Sequence, residues 1–194
     1  QNSKYIKAPD LALMEESQKA AGRLIKIVTV APELPGSDKL VSLLARNNVV
    51  VSAGHTNAVY EDIKKGIKSG ISHVTHTFNA MTGLHHRKPG VVGAALLFKE
   101  LAIELIADGI HVHPAVMQII INAKGKDNVI LITDAIRATG LPPGRYDLGG
   151  QEVIASKTKA ILKDGTLAGS VLTMNMAVKN MVHKVNVPLK DAIL

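Results

Sequence analysis

The sequence contains no cysteine, and aromatic residues make up only 3% of its 194 residues. Without cysteine there are no disulfides and no thiolate metal sites, so imidazole and carboxylate groups are the strong ligands that remain. The few aromatic rings leave little for stacking on nucleic-acid bases, although the net charge is +7. We therefore predict no nucleic-acid partner, and the diffuse positive charge suits a small anionic substrate.

Long apolar runs are absent as well. No stretch approaches the roughly 20 apolar residues of a membrane-spanning helix, and no charged start followed by an apolar segment marks a secretory signal. With 46% hydrophobic and 20% charged residues, the composition is that of an ordinary globular domain. We expect a cytoplasmic protein with no membrane partner. Because the chain begins with Gln1, we also expect it to be an internal piece of a longer protein.

Apolar, β-prone runs alternate with segments of helical pattern along most of the chain. The predicted strands are Leu24–Val30, Val49–Ala53, a run through His73 and Val74, Ala102–Ala107 and Asn128–Thr133. The predicted helices are Asp10–Gly22, Gly36–Asn48 with Ser37 or Asp38 as its cap, Ala58–Ser69, Pro114–Lys124 and Val171–Lys184, and the segment Thr82–Val92 is interpreted as a long connection. This alternation predicts an α/β fold with a parallel sheet, because each strand is followed by a crossover helix.

A polar side chain suited to be a ligand or a base follows each predicted strand. In chain order these residues are Glu33, His55, His76, Asp108 with His111, and Asp134. Because parallel strands end at one edge of a sheet, we expect these side chains to lie along a common rim. An open doubly wound sheet and a (β/α)8 barrel both remain possible, but active sites at many strand ends are typical of the barrel. No glycine-rich phosphate fingerprint follows the first strand, which disfavours a doubly wound dinucleotide-binding fold.

The rim residues predict hydrolytic chemistry assisted by a metal ion. His55 and His76, as neutral imidazoles, would hold an open divalent metal site together with water and a further ligand. A metal ion acidifies its bound water enough for attack on an amide at neutral pH, and Asp134 is placed in the sequence to take the proton. A structural histidine at a strand end is the simpler interpretation for either residue alone.

Six short motifs occur in one order along the chain. They are Ser52–Ala58, Thr75–Met81, His86–Gly90, Ala107–His111, Thr133–Ala135 and Gly165–Ser170. Together they closely resemble the N-acetylglucosamine-6-phosphate deacetylase family of the amidohydrolase superfamily, and the resemblance extends over the whole chain.

The resemblance implies a metal-dependent (β/α)8 barrel joined to a small β-sandwich. The five predicted strands would be the last five β/α units of that barrel, and Gly144–Thr166 would be a β-hairpin insertion after the last strand. Residues 1–194 would then form a partial catalytic barrel domain, with the N-terminal strands and the sandwich domain absent from this chain.

The resemblance also implies roles for individual residues. His55 and His76 match two ligands of the principal metal ion, and Asp134 matches the catalytic aspartate that activates water and then protonates the leaving amine. His111 matches a histidine that contacts the substrate and polarises the acetamide carbonyl. Leu172 falls in the segment that lines the acetyl pocket.

Two further matches concern the sugar phosphate. Asn79 and Ala80 match a phosphate-binding segment, and Arg87 matches an arginine supplied to the neighbouring subunit. The implied partners are therefore a small phosphorylated amino sugar and a second copy in a homodimer. The implied reaction converts N-acetylglucosamine 6-phosphate to glucosamine 6-phosphate and acetate with one divalent ion, which could be zinc, iron, manganese or cobalt.

The sequence departs from the family in one ligand. The family holds its metal with a glutamate in a His-x-Glu-Gly-Pro type motif, which this chain lacks, so we expect the 194 residues alone to be inactive. A cyclic amidase of the same superfamily is a second reading, although such enzymes usually place a lysine after the fourth strand, where Glu33 stands here. A non-catalytic domain that binds metal or sugar phosphate is a third.

Overall fold

The computed structural model describes residues 6–193. The helices in this part of the chain are α1 (Leu11–Ala20), α2 (Ser37–Arg46), α3 (Tyr60–Ser69), α4 (Gly90–Leu97), α5 (Pro114–Lys124), α6 (Met174–Val185) and α7 (Leu189–Ile193). The strands are β1 (Ile27–Val30), β2 (Val50–Ala53), β3 (Ile71–Val74), β4 (Ala102–Ile106), β5 (Val129–Ile132), β6 (Gly144–Leu148), β7 (Gln151–Ala155) and β8 (Ala160–Ile161). None of the helices within residues 6–193 is long and apolar enough to cross a membrane.

A five-stranded sheet with the order β1-β2-β3-β4-β5 confirms the α/β prediction. The pairs β1–β2, β2–β3 and β3–β4 are parallel, and each strand is joined to the next through a helix. The first strand begins at Ile27 and not at Leu24 as predicted, and the Leu24 side chain is 73% exposed, so it does not belong to the buried strand.

The chain divides within β4 into two compact units, Gln1–Ile103 and Glu104–Leu194. In the first unit, α2 and α3 pack on the sheet through apolar side chains at helical spacing. The buried residues of these elements include Leu40, Val41, Leu44, Ile63, Val51, Ala53, Ile71 and Val74. These buried side chains hold β2 and β3 in place, and the loops that follow these two strands contain His55 and His76.

The second unit contains the remaining core and a separate small sheet. Met117 and Ile120 of α5, together with Ala177 and Met181 of α6, are buried. The predicted hairpin Gly144–Thr166 is a three-stranded antiparallel sheet of order β6-β7-β8, so it holds one strand more than a hairpin. Its side chains join a core cluster that includes Ile136, Val153 and Ala168.

Two local predictions were wrong. The segment interpreted as a connection contains the start of α4, whose first residues are the buried Gly90, Val91 and Val92. Neither Ser37 nor Asp38 caps α2, because the cap is Gly36 in a left-handed conformation, and the Ser37 hydroxyl instead donates to the carbonyl of Ala31 at 2.8 Å.

Candidate active site

The ends of β2 and β3 bring two predicted metal ligands together in the first unit. His55 Nε2 and His76 Nε2 lie 2.9 Å apart, with the two rings nearly perpendicular at 84°. The His76 ring is buried, whereas His55 is exposed. Since β2 and β3 are parallel neighbours, the loops that follow their carboxyl ends lie side by side at the same end of the sheet.

The backbone at these strand ends takes an unusual conformation. The φ angles of His55, His76 and Asp134 are +48°, +29° and +48°, in the left-handed region that residues other than glycine seldom occupy. Such a conformation costs about 1–3 kcal/mol and persists only where the surroundings impose it.

Hydroxyl groups join the strands just below the two histidines. The Thr75 hydroxyl lies 2.6 Å from that of Ser52 and 3.0 Å from that of Thr29, so one side chain connects β1, β2 and the end of β3. Gly54 lies against this chain of hydroxyls, where a Cβ would be only 2.7 Å from Thr75 Cβ. The site therefore needs a glycine directly before His55.

The paired imidazoles fit a divalent ion. Tetrahedral coordination at about 2.0–2.1 Å places two nitrogen ligands about 3.3 Å apart, so the observed 2.9 Å requires only a small widening. Two Nε2 atoms at this distance can share a proton or direct both lone pairs at one cation. Among residues 6–193 there is no group of three or more metal-ligating side chains, so the described chain offers a two-imidazole half of a site.

Glu33, which follows β1, supports the loop of His55. One carboxylate oxygen accepts a hydrogen bond from the Thr56 hydroxyl, and the other accepts from the Asn57 amide at 2.8 Å. The Thr56 oxygen in turn accepts from the Ala58 amide at 3.0 Å. Both oxygens of Glu33 are thus engaged by the turn next to His55, a supporting role that the sequence alone did not reveal.

The segment matched to phosphate binding continues directly from His76. The Asn79 side-chain amide donates to the carbonyls of His76 and Thr77 at 3.1 and 3.4 Å. The Ala80 carbonyl accepts from the Thr56 amide at 3.0 Å, which connects this turn to the loop after β2. The structure therefore brings His55, His76, Asn79 and Ala80 into one loop cluster.

Arg87 lies in an exposed turn that precedes α4. His85 and Lys88 exchange backbone hydrogen bonds across this turn at 3.2 and 3.0 Å. The Arg87 guanidinium lies 2.8 Å from His86 Nε2, and the rings of His85 and His86 are 4.2 Å apart. None of these contacts of Arg87 is with the loop cluster of His55, His76, Asn79 and Ala80.

In the second unit, the loop after β4 holds His111 tightly. Asp108 Oδ2 lies 2.6 Å from His111 Nδ1, and the two side chains are 8% and 6% exposed. Burial opposes ionisation of Asp108, but hydrogen bonds from His111 and Ile110 outweigh it, and the pKa of Asp108 lies below its ordinary value. The carboxylate is therefore ionised at neutral pH.

Ser170 connects the other two predicted residues of the second unit. Its amide donates to the Asp134 carbonyl at 2.8 Å, and its hydroxyl donates to the carbonyl of Thr133. The same hydroxyl oxygen accepts from the Leu172 amide at 3.0 Å. The Asp134 side chain is exposed, while Leu172 is 7% exposed. Nothing in the sequence indicated this supporting role of Ser170, although the residue ends the motif Gly165–Ser170.

Sequence comparison identifies relatives of the chain. A family model described as the amidohydrolase family matches residues 6–194. The chain is 43% identical over 189 residues to an N-acetylglucosamine-6-phosphate deacetylase of Lysinibacillus sphaericus, covering 97% of this chain and 49% of that protein. It is 39% identical over 184 residues to an N-acetylgalactosamine-6-phosphate deacetylase of Escherichia coli O157:H7, covering 95% of this chain and 48% of that protein.

Solved structures give the same result for the fold. The chain matches a mutant N-acetyl-D-glucosamine-6-phosphate deacetylase from Mycobacterium smegmatis, in complex with N-acetyl-D-glucosamine-6-phosphate, with a TM-score of 0.94 at 31% identity. The match covers 100% of this chain and 51% of that one. The chain thus spans about half the length of the relatives it matches. On the family model and this shared fold, the chain belongs to the amidohydrolase family.

Proposed function

We propose that the protein hydrolyses the acetamide of N-acetylglucosamine 6-phosphate to give glucosamine 6-phosphate and acetate. The observation that carries this proposal is the convergence of His55 Nε2 and His76 Nε2 at adjacent strand ends. The named activities of the relatives support the substrate class, because several of them are deacetylases of phosphorylated amino sugars.

His55 and His76 would hold one divalent ion, which could be zinc, iron, manganese or cobalt. When bound, this ion supplies an acidified water and polarises the amide carbonyl. Tight binding requires a further protein ligand, which the family pattern assigns to a glutamate whose motif this sequence does not contain. The two histidines contribute fixed orientation, since the His76 ring is buried and the loop of His55 is held by Glu33.

We assign Asp134 the proton transfers. Its exposed carboxylate takes a proton from the attacking water and returns it to the leaving amine, so that the carboxylate is regenerated in each cycle. The backbone of Asp134 is held by the amide of Ser170, and Leu172, which we assign to the acetyl pocket, is held by the same serine. One residue, Ser170, thereby contacts both Asp134, through its backbone amide, and Leu172, through its hydroxyl.

The phosphate of the substrate is assigned to the turn that follows His76. Asn79 and Ala80 would contact it, and Arg87 would reach the phosphate bound by a second copy in a homodimer. The exposure of Arg87 leaves it accessible for that purpose. The net charge of +7 favours approach of an anionic sugar. We retain the cytoplasmic location expected from the sequence.

The test replaces Asp134 by Asn in the full-length protein. Loss of a general acid–base group typically costs about 10²–10⁴-fold in rate, so acetate release should fall by that amount while the bound metal, measured by elemental analysis, is unchanged. Asp164→Asn is the matched control, because Asp164 is also an exposed carboxylate of the second unit and accepts from the nearby Thr166, whose amide lies 2.9 Å away. Residual activity near that of the control would refute the role of Asp134.

The epimeric N-acetylgalactosamine 6-phosphate is a second candidate substrate, because one relative is named for it. Parallel measurements of kcat/KM on the two sugars decide between them. Binding of either sugar phosphate without acetate release would instead favour a non-catalytic binding domain.

A further inference from the structure

The loop after β4 contains a carboxylate, Asp108, both of whose oxygens contact the same histidine. Asp108 Oδ1 accepts from the backbone amides of Ile110 and His111, each at 2.8 Å. Asp108 Oδ2 faces the His111 ring nitrogen Nδ1 at 2.6 Å. A single carboxylate therefore fixes both the backbone and the ring of His111.

The surroundings make this arrangement rigid. Gly109 has a φ of +82°, which allows the chain to fold back over the carboxylate. The Asn180 side chain of α6 donates to the Ala107 carbonyl at 2.9 Å and so fixes the residue before Asp108. Because both side chains of the pair are more than nine-tenths buried, water competes weakly for their hydrogen bond.

The short contact also determines where the proton of the imidazole lies. An ionised carboxylate can only accept hydrogen bonds, so Nδ1 of His111 must carry a proton. In the neutral ring, Nε2 then presents a lone pair, which repels the oxygen of a carbonyl group. With Nδ1–H donating to Asp108, Nε2 can donate to a carbonyl oxygen only when the ring is an imidazolium.

From this geometry we propose that Asp108 is a positioning residue. It accepts from Nδ1–H of His111 and orients the ring, so that Nε2–H of the imidazolium donates to the acyl oxygen of the substrate as negative charge develops there. This inference rests on the proposed deacetylase function. It extends that function by making the electrophilic histidine a charged donor, whose hydrogen bond is about twice as strong as that of a neutral one. No covalent bond changes at Asp108 or His111, and the ring keeps both protons through the step.

The first measurement needs no substitution. In the full-length protein labelled with ¹⁵N-histidine, with the His111 signals assigned by a His111→Gln variant, the neutral ring should be the Nδ1–H tautomer. Finding the Nε2–H tautomer would overturn the proposal, because Nδ1 would then not be donating to Asp108.

The second measurement uses Asp108→Asn. The asparagine oxygen can still accept from the two backbone amides, while its NH₂ group faces Nδ1 and can only donate. We expect the neutral ring to change to the Nε2–H tautomer, and kcat for the deacetylation to fall roughly ten- to hundredfold with little change in KM. A residue that only stabilised the loop would not change the tautomer.

Asp164→Asn is again the control, since its carboxylate accepts from a backbone amide in an exposed turn without a histidine. An unchanged tautomer or an unchanged kcat in Asp108→Asn would overturn the proposal. Failure of the deacetylase function has a different signature, in which the unsubstituted protein shows the Nδ1–H tautomer but releases no acetate.

Discussion

Gly169 offers the sharpest test of how the second unit positions Asp134. It has a φ of +61°, and a Cβ there would lie 2.5 Å from Ile136 Cγ2 and 3.0 Å from the Asp134 carbonyl oxygen. Gly165 has a similar φ of +87°, but nothing lies within 4 Å of its Cβ position. Alanine at the two positions therefore shares the backbone strain and differs in the steric clash.

The expected magnitudes follow from these distances. A left-handed conformation costs an alanine about 1–2 kcal/mol, and this applies to both variants. Overpacking adds about 1–3 kcal/mol in Gly169→Ala only. A chain of 150–250 residues loses about 2–4 °C of Tm per kcal/mol, so the Tm of Gly169→Ala should lie about 2–12 °C below that of Gly165→Ala.

Circular dichroism melts and urea titrations of both variants measure this difference. In the unsubstituted protein, Ile136→Ala should lower the free energy of unfolding by about 2–5 kcal/mol, as is typical for a buried isoleucine. In the Gly169→Ala background the same substitution also removes the clashing methyl group, so the free energy of unfolding should fall by less. Activity should also fall more in Gly169→Ala than in Gly165→Ala, because the clash pushes on the Asp134 backbone. Equal Tm values for the two glycine variants would show that the clash does not exist.

The remaining predictions concern the first unit. His76→Ala should abolish stoichiometric metal binding, measured by elemental analysis and by competition with a chelator. His86→Ala, in an exposed turn, should leave metal binding unchanged, so equal metal content in the two variants would contradict the assignment of His76. Glu33→Ala frees the turn beside His55, and loss of a group that orients a ligand typically lowers metal affinity about 10–100-fold. Glu33→Gln keeps an acceptor for the Asn57 amide and should lose less, so equal losses in both variants would show that the charge, not the hydrogen bonds, matters.

The strand ends were predictable because they depend on local pattern and one rule of geometry. Continuous apolar runs followed by His55, His76 or Asp134 mark the carboxyl ends of buried strands, and parallel pairing then brings neighbouring ends together. The meeting of the two histidines follows directly from that rule. The same pattern led to the metal-ligand roles of His55 and His76 and the base role of Asp134, whereas the other site roles came from the resemblance to a family; all of them stay predictions.

The missed features have different causes. Helix α4 was overlooked because Gly90–Leu97 is apolar on every side and follows a proline, so it shows no 3.6-residue periodicity. Glu33 and Ser170 were missed as supporting residues because their partners are remote in sequence. The Ser170 hydroxyl, for example, bonds a carbonyl 37 residues away. Such contacts depend on how loops pack after the chain has folded, which no local pattern encodes.

The left-handed backbone at His55, His76 and Asp134 has a consequence for protein engineering. At each of these positions glycine would fit the backbone better than the residue present, because it has no Cβ to oppose a positive φ. Selection for heat resistance alone would therefore favour glycine at the exposed His55 and Asp134, whereas at His76 glycine would also leave a cavity in place of the buried ring. A thermostabilised library of this protein should be screened for acetate release from the first round, since its most stable members are the ones in which the chemistry is most at risk.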